Sequence, residues 1–105
     1  MNQFLKTILL VLIIFSCQNR TELENLGQHY QIYYDYKSLQ KVVELIDLDV
    51  DTFFVKDILG EPIDMGFDYR YLIDTIGENG CVIGAVFHIN EFGKIDQKWI
   101  DEICE

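Results

Sequence analysis

The sequence is poor in basic side chains, with eight lysines and arginines against eighteen aspartates and glutamates in 105 residues. The formal net charge is −10, so the chain lacks the basic face with which nucleic-acid-binding proteins neutralise phosphates. Peripheral attachment to anionic lipid through charge is disfavoured for the same reason. The acidity is typical of a well-solvated surface, and it is compatible with a basic protein partner.

Patterns that support catalysis or metal binding are also scarce. No glycine-rich phosphate loop occurs, and neither His29 nor His88 has a cysteine, serine or metal-binding partner nearby in the sequence. Asp57 and Glu61 are two neighbouring carboxylates, but both fall at a predicted exposed helix end. We therefore expect a protein that is not an enzyme, with no catalytic residue, no cofactor, no metal and no small-molecule substrate.

A run of alternating aspartates, Asp47-Leu48-Asp49-Val50-Asp51, looks like the beginning of a calcium loop. An EF-hand loop requires glycine at its sixth position and glutamate at its twelfth. Those positions hold Thr52 and Ile58 here. The aspartates are better interpreted as helix-capping and loop residues.

The N-terminus has the three parts of an export signal. Residues 1–6 carry one lysine, residues 7–15 (TILLVLIIF) are apolar apart from the threonine, and the small Ser16 precedes Cys17. A transmembrane helix needs about 20 apolar residues, so this run is too short to span a bilayer. We predict that residues 1–16 are a cleaved signal peptide. The remaining chain has a net charge of −11, because the signal holds one lysine and no acid.

The end of the signal, Ile14-Phe15-Ser16-Cys17, resembles the lipobox of bacterial lipoproteins. The resemblance implies that Cys17 is acylated and becomes the new N-terminus. Two or more acyl chains hold a protein firmly at a membrane, so the mature chain is expected in the cell envelope, anchored through Cys17. The outer membrane is favoured, because Gln18 is not the aspartate associated with inner-membrane retention. The alternative is an unmodified cysteine after a chance apolar run.

Residues 17–35 are predicted to be the lipidated cysteine and a polar tether, and residues 36–105 a small domain. Four tyrosines, Tyr30, Tyr33, Tyr34 and Tyr36, lie around this boundary. One interpretation is that they pack the N-terminal edge of the domain. The other is a contact patch for a partner, because tyrosines suit protein interfaces.

The domain itself is predicted to be α+β, with two short helices packed on a three-stranded antiparallel sheet. Leu39, Val42, Val43 and Ile46 have helical spacing. A second helix is predicted between an Asp51 N-cap and a Gly60 C-cap, with Pro62 preventing its continuation. Alternation predicts a strand over residues 67–76 and an apolar central strand over 81–89. Residues 94–104 fit strand or helix, and a strand is favoured because it would pair with the central one.

The last hairpin makes a prediction about Cys81 and Cys104. If Ile89 pairs near Lys94, antiparallel counting places Cys81 opposite residues 102–104. Because Cys17 is assigned to lipidation, the other two cysteines remain as a pair in an oxidising compartment. We predict a disulfide between them, and the alternative is two free thiols.

The order of elements resembles a known family. The segment Val55-Lys56-Asp57-Ile58-Leu59-Gly60-Glu61-Pro62, the aromatic strand Tyr69-Arg70-Tyr71 and the hairpin over residues 86–95 are similar to the SmpA/OmlA (BamE-like) family of small outer-membrane lipoproteins. The resemblance covers residues 38–100 and implies two helices on a three-stranded antiparallel sheet. It implies a non-enzymatic module that binds another envelope protein, in outer-membrane assembly or maintenance. The alternative is an inhibitor or immunity-type lipoprotein that blocks an enzyme or toxin.

Overall fold

The computed structural model describes residues 20–105, which form an α+β domain with three helices and a four-stranded antiparallel sheet. Helix α1 covers residues 20–33 of the described chain, α2 is Tyr36–Leu45 and α3 is Thr52–Leu59. The strands are β1 Ile63–Asp64, β2 Asp68–Ile76, β3 Val82–Ile89 and β4 Ile95–Ile103, and they lie side by side in that order. The predicted α+β class is confirmed. Helix α1 and the two-residue β1 are additional to the predicted elements.

Helix α2 forms where the apolar spacing predicted a helix. It begins at the N-cap Asp35, whose Oδ2 accepts a hydrogen bond from the Ser38 backbone N–H at 3.0 Å. The predicted stripe is buried against the core (Leu39, Val42, Val43 and Ile46). At its C-terminal end the Lys98 ammonium of β4 donates to the carbonyl of Ile46, which otherwise has no helical partner. Helix α2 is thereby fixed over β4.

The predicted start and stop of α3 are both confirmed. Asp51 Oδ1 accepts a hydrogen bond from the Phe54 backbone N–H at 2.9 Å, as expected of an N-cap. Gly60 ends the helix with φ 84°, a conformation that a side chain would strain. Val55, Ile58 and Leu59 are buried in the core. The capping interpretation of Asp51 is therefore correct.

Helix α1 corrects the predicted tether, because residues 20–33 are folded onto the domain. Its buried side chains Leu23 and Tyr30 belong to the hydrophobic core, and Leu26 packs against it. Gly27 lies between them, and a Cβ there would collide with the backbone carbonyl of Ile58 in α3. The domain thus begins before residue 36. A stripe with only two leucines and a glycine has the composition of a polar linker, so the sequence alone predicts a tether there.

The sheet follows the predicted meander. Tyr69, Tyr71 and Ile73 of β2 are buried, whereas Phe67 precedes the strand and is exposed. Gly84 in the central strand β3 permits a close approach, since a Cβ there would lie 2.7 Å from the Tyr71 carbonyl oxygen. Packing on this face is therefore tight.

The segment over residues 94–104 is a strand, as favoured from the sequence: β4 covers Ile95–Ile103 and pairs with β3. Ile89 lies opposite Ile95, and Val82 lies opposite Ile103. This register brings Cys81 and Cys104 together with a Cα–Cα distance of 5.3 Å, and they form a disulfide. The covalent link closes the free end of the β3–β4 hairpin.

The predicted signal peptide, residues 1–16, and the predicted lipidation site Cys17 lie outside the described residues. Within residues 20–105, none of the helices has the length and apolar character that crossing a bilayer requires.

Candidate functional site: the tyrosine groove

A groove lies where the C-terminal end of α1, the chain after α3 and the outer edge of β2 meet. We call it the tyrosine groove, and it encloses about 610 Å³. This volume is in the range of sites that hold a small ligand or a short peptide segment. Its lining includes Tyr30, Tyr34, Glu61, Ile63, Tyr71 and Asp74.

Two tyrosines form the wall of the groove and join its helices to the sheet. The Tyr30 hydroxyl donates a 2.6 Å hydrogen bond to the Leu72 carbonyl, and the Tyr71 hydroxyl donates one of 2.9 Å to the Gly60 carbonyl. The two rings meet edge to face at 6.3 Å, and Tyr71 meets Phe87 in the same way at 5.9 Å. Burial raises the pKa of Tyr30 and of Tyr71 well above the ordinary tyrosine value. Both hydroxyls therefore stay neutral donors.

The floor of the groove is fixed at the end of α3. Gln31 donates from Nε2 to the Ile58 carbonyl at 3.1 Å, next to the Gly60 carbonyl that accepts from Tyr71. These two side chains satisfy carbonyls that the end of a helix leaves without partners. A Cβ on Gly60 would also lie only 3.0 Å from the Gln31 side-chain oxygen. These contacts hold the segment between α3 and β1 against α1.

Tyr34 stands at the rim of the groove in an uncommon backbone conformation. Its φ is 51°, in the left-handed region that non-glycine residues seldom adopt. Its backbone N–H donates to the Tyr30 carbonyl at 2.7 Å and so completes the last turn of α1. The ring packs edge to face on Tyr30 at 5.4 Å and still remains 50% exposed. The left-handed turn thus presents an aromatic ring at the mouth of the groove.

The four tyrosines singled out in the sequence therefore divide into two kinds. Tyr30 is a core residue, as the packing interpretation predicted. Tyr33, Tyr34 and Tyr36 are exposed, as a contact patch requires. The packing interpretation is confirmed for Tyr30, and the contact patch formed by the three exposed tyrosines stays a prediction.

The back of the groove is a sheet edge that β1 covers only in part. Strand β1 pairs with β2 at Arg70 and Tyr69 and goes no further. Beyond this point, no strand of the described chain pairs with β2 on that side. The Leu72 carbonyl faces the groove, because it accepts the hydrogen bond of Tyr30, and in an antiparallel strand the N–H of the same residue faces the same side. The edge is therefore available for backbone hydrogen bonding.

The charges around the groove are mainly negative. Arg70 is engaged on the sheet, where it pairs with Asp68 at 3.2 Å and with Glu105. The hydrogen bonds that Arg70 donates to Glu105, first, and to Asp68 raise the pKa of Arg70 and keep it charged. Glu61 and Asp74 line the groove as carboxylates. The groove therefore favours a partner group with positive charge.

The structure brings His29 next to a serine and an aspartate, which the sequence order concealed. Its Nδ1 lies 2.8 Å from Ser38 Oγ and 2.9 Å from Asp35 Oδ1. A hydrolytic triad needs the serine on one ring nitrogen and the carboxylate on the other. Both contacts here use the same nitrogen and Ser38 is buried, so the cluster fixes the joint between α1 and α2.

The other carboxylate and histidine candidates are separated in space. His88 pairs with Asp96 of the neighbouring strand at 2.6 Å. Glu61 lines the tyrosine groove, whereas Asp57 lines a shallow depression near the opposite end of α3. The structure thus does not bring Asp57, Glu61 and His88 into one site.

One group of metal-type ligand atoms occurs among residues 20–105, at Cys81, Glu102 and Cys104. Their ligand atoms lie within 4.8 Å of one another. Because the two sulfurs are joined in the disulfide, neither is free to coordinate as a thiolate. Glu102 accepts instead from the Asn79 backbone N–H at 3.0 Å and so fixes the turn between β2 and β3.

No protein-family model, no curated protein and no solved structure matches the chain. The SmpA/OmlA resemblance therefore stays a prediction from the order of elements.

Proposed function

We propose that the protein is a lipid-anchored protein of the cell envelope that binds another protein through the tyrosine groove. The proposed anchor is the acylated Cys17, and the resemblance of residues Ile14–Cys17 to a lipobox supports it. The observation that carries the binding function is the unpaired edge of β2 at the back of the groove.

An extended segment of a partner can add to this edge as a further strand. Backbone hydrogen bonds supply affinity in such complexes, and side-chain pockets supply specificity. The Leu72 backbone N–H offers a donor at the edge beside the carbonyl that Tyr30 occupies, and Tyr34 and Ile63 offer exposed apolar surface next to it. An open strand edge also invites unwanted pairing, so a dedicated occupant is expected.

The charge of the groove indicates the chemistry of the partner segment. Glu61 and Asp74 face the space that an added strand would occupy. Arg70 is already paired with two carboxylates, so it does not neutralise them. The occupant is therefore an extended segment with lysine or arginine among apolar residues.

Site-specific photocrosslinking in intact cells tests the proposal. A photoreactive amino acid at Tyr34 is expected to give a discrete adduct with one envelope protein. The same group at Lys41, on the exposed side of α2, is the matched control and is expected to give none. Equal adducts at both positions, or none at Tyr34, would contradict binding at the groove.

A proline variant tests whether the partner adds as a strand. Leu72→Pro removes the backbone N–H that faces the groove. The N–H groups of β2 that pair with β3 belong to other residues and are kept. The Tyr34 adduct is expected to disappear in this variant while the thermal transition of the domain persists. An adduct of unchanged yield would show that the partner binds the groove without strand pairing.

The inhibitor or immunity alternative is favoured by the acidity of the chain, since a net charge of −10 suits a basic enzyme or toxin. It uses the same groove and differs in the consequence of binding. If the partner crosslinked at Tyr34 is an enzyme, loss of its activity on titration with this protein supports the alternative. An unaffected activity supports the assembly or maintenance role in the outer membrane that the SmpA/OmlA resemblance implies.

A further inference from the structure

A second exposed apolar surface lies at the end of the domain opposite the tyrosine groove. Phe92 and Phe53 are 77% and 72% exposed, the highest values among the large hydrophobic side chains of residues 20–105. Leu48 and Phe67 are also exposed. We call these four residues the phenylalanine end.

Backbone hydrogen bonds bring the four residues to one end of the domain. The Asp49 N–H donates to the Ile95 carbonyl at 2.8 Å, and the Ile95 N–H donates to the Val50 carbonyl at 2.9 Å. The segment with Leu48 and Phe53 therefore lies beside the β3–β4 turn with Phe92. The Ile89 N–H donates to the Phe67 carbonyl at 2.9 Å, which places Phe67 at the same turn.

The described chain also begins at this end. The Arg20 guanidinium lies over the Phe54 ring, 5.7 Å from its centroid. Arg20 also lines a depression together with Phe53 and Lys94. Cys17 is three residues before Arg20, so even a fully extended chain puts it within about 11 Å.

We infer that the phenylalanine end rests on the surface of the bilayer that holds Cys17, with its phenyl rings in the interface of zwitterionic lipid. This inference rests on the lipid anchor of the proposed function. An anchor within about 11 Å of Arg20 keeps this end against the headgroups. Apolar side chains exposed on a surface held there can enter the boundary between headgroups and acyl chains, where amphipathic surfaces bury their apolar side.

The charges at this end select the class of lipid. Arg20 and Lys94 are basic, whereas Asp49, Asp51 and Asp57 line the same depression as acids. Glu91 is exposed in the adjacent turn. Because acids outnumber bases, anionic headgroups are repelled, and contact is through apolar side chains with uncharged headgroups.

Tryptophan placed at single positions measures this contact in the full lipidated chain. Trp99 is first replaced by phenylalanine, and one tryptophan is then introduced as Phe53→Trp, Phe92→Trp or Ile76→Trp. Ile76 is the matched control, because it is exposed at the opposite end of the sheet. The proteins are reconstituted into phosphatidylcholine vesicles with brominated acyl chains, and fluorescence quenching is compared.

Quenching at positions 53 and 92 is expected to exceed that at position 76 at least about twofold. Quenching is also expected to weaken when phosphatidylglycerol is added. Equal quenching at all three positions, or none, in a protein that floats with the vesicles would overturn the inference and leave the anchor intact. Failure of the lipidated chain to float, with Cys17→Ser behaving identically, would overturn the anchor and the inference with it.

Discussion

The two ends of the domain carry aromatic side chains of different chemistry. At the tyrosine groove, each buried ring ends in a hydroxyl that donates to a backbone carbonyl, as Tyr30 does to Leu72 and Tyr71 to Gly60. At the phenylalanine end the rings have no polar atom and stand in the open. A surface with oriented hydrogen-bonding groups can discriminate between partners. Phenyl rings offer apolar contact without hydrogen bonds, which suits the interior of a lipid bilayer. The difference is consistent with the proposals of partner recognition at the groove and membrane attachment at the phenylalanine end.

The disulfide lies at the groove end of the domain. Its removal is expected to destabilise that end and leave the phenylalanine end unchanged, and this is the largest effect that we predict. Cys81 and Cys104 are 23 residues apart, and a loop of this size stabilises by about 3 kcal/mol. The double variant Cys81→Ser/Cys104→Ser is expected to lose this amount in chemical denaturation. Hydrogen exchange should quicken in the 77–82 turn and stay unchanged near Phe92.

The reduced native protein is the control for that variant, and its stability should equal that of the double serine variant. A loss of less than about 1 kcal/mol would mean that the end of the hairpin is held by packing alone.

Gly27 lies between the two ends of the domain, at the contact of α1 with α3. Gly27→Ala is expected to destabilise by about 2 kcal/mol, because the added methyl group meets the Ile58 carbonyl. On an exposed helix face the same change stabilises by about 1 kcal/mol. Gln28→Ala, at the next residue, which is exposed, is the control in the denaturation experiments. A stabilising Gly27→Ala would refute close packing of α1 on α3.

The hydroxyl groups of the groove give a smaller, local effect. Tyr30→Phe leaves the Leu72 carbonyl without its donor and is expected to cost about 1 kcal/mol. Tyr33→Phe, on an exposed ring of the same helix, is expected to change the free energy of unfolding by far less. Equal effects of the two changes would show that the Tyr30 hydroxyl contributes nothing specific.

The smallest expected effect is a pH dependence at the joint of α1 and α2. Burial acts against the charged form of Asp35, but hydrogen bonds from Ser38 and His29 outweigh it, so the pKa of Asp35 is lowered. A lowered pKa stabilises the fold above the unfolded-state value of about 3.9, and the contribution is lost as pH falls further. Asp35→Asn should therefore be less stable than wild type at neutral pH, with the gap closing in acid. A gap that widens in acid would contradict this assignment.

The elements that local rules determine are the ones that the sequence predicts correctly. The caps Asp51 and Gly60 and the alternation in β2 depend on neighbours a few residues away, and both were predicted correctly. The Cys81–Cys104 pair was also accessible, because a hairpin register follows from counting.

The groove depends on contacts that no local pattern encodes. Helix α1 has the spacing Leu23, Leu26, Gly27 and Tyr30, yet its glycine is explained only by the Ile58 carbonyl, 31 positions later in the chain. The hydroxyl of Tyr30 finds its acceptor in β2, 42 positions away. The open edge of β2 exists because β1 is only two residues long, which its sequence did not signal.

The length of helix α1 also sets the distance between the phenylalanine end and the tyrosine groove. Thirteen steps separate residues 20 and 33, which at 1.5 Å per residue make a rod about 20 Å long. Contacts with α3 at both Arg20 and Gln31 hold this rod against the domain. If the proposed anchor holds the phenylalanine end on the bilayer and α1 stands along the membrane normal, the groove lies about 20 Å above the headgroups. A partner rooted in the same membrane must extend about six residues before its strand can reach β2.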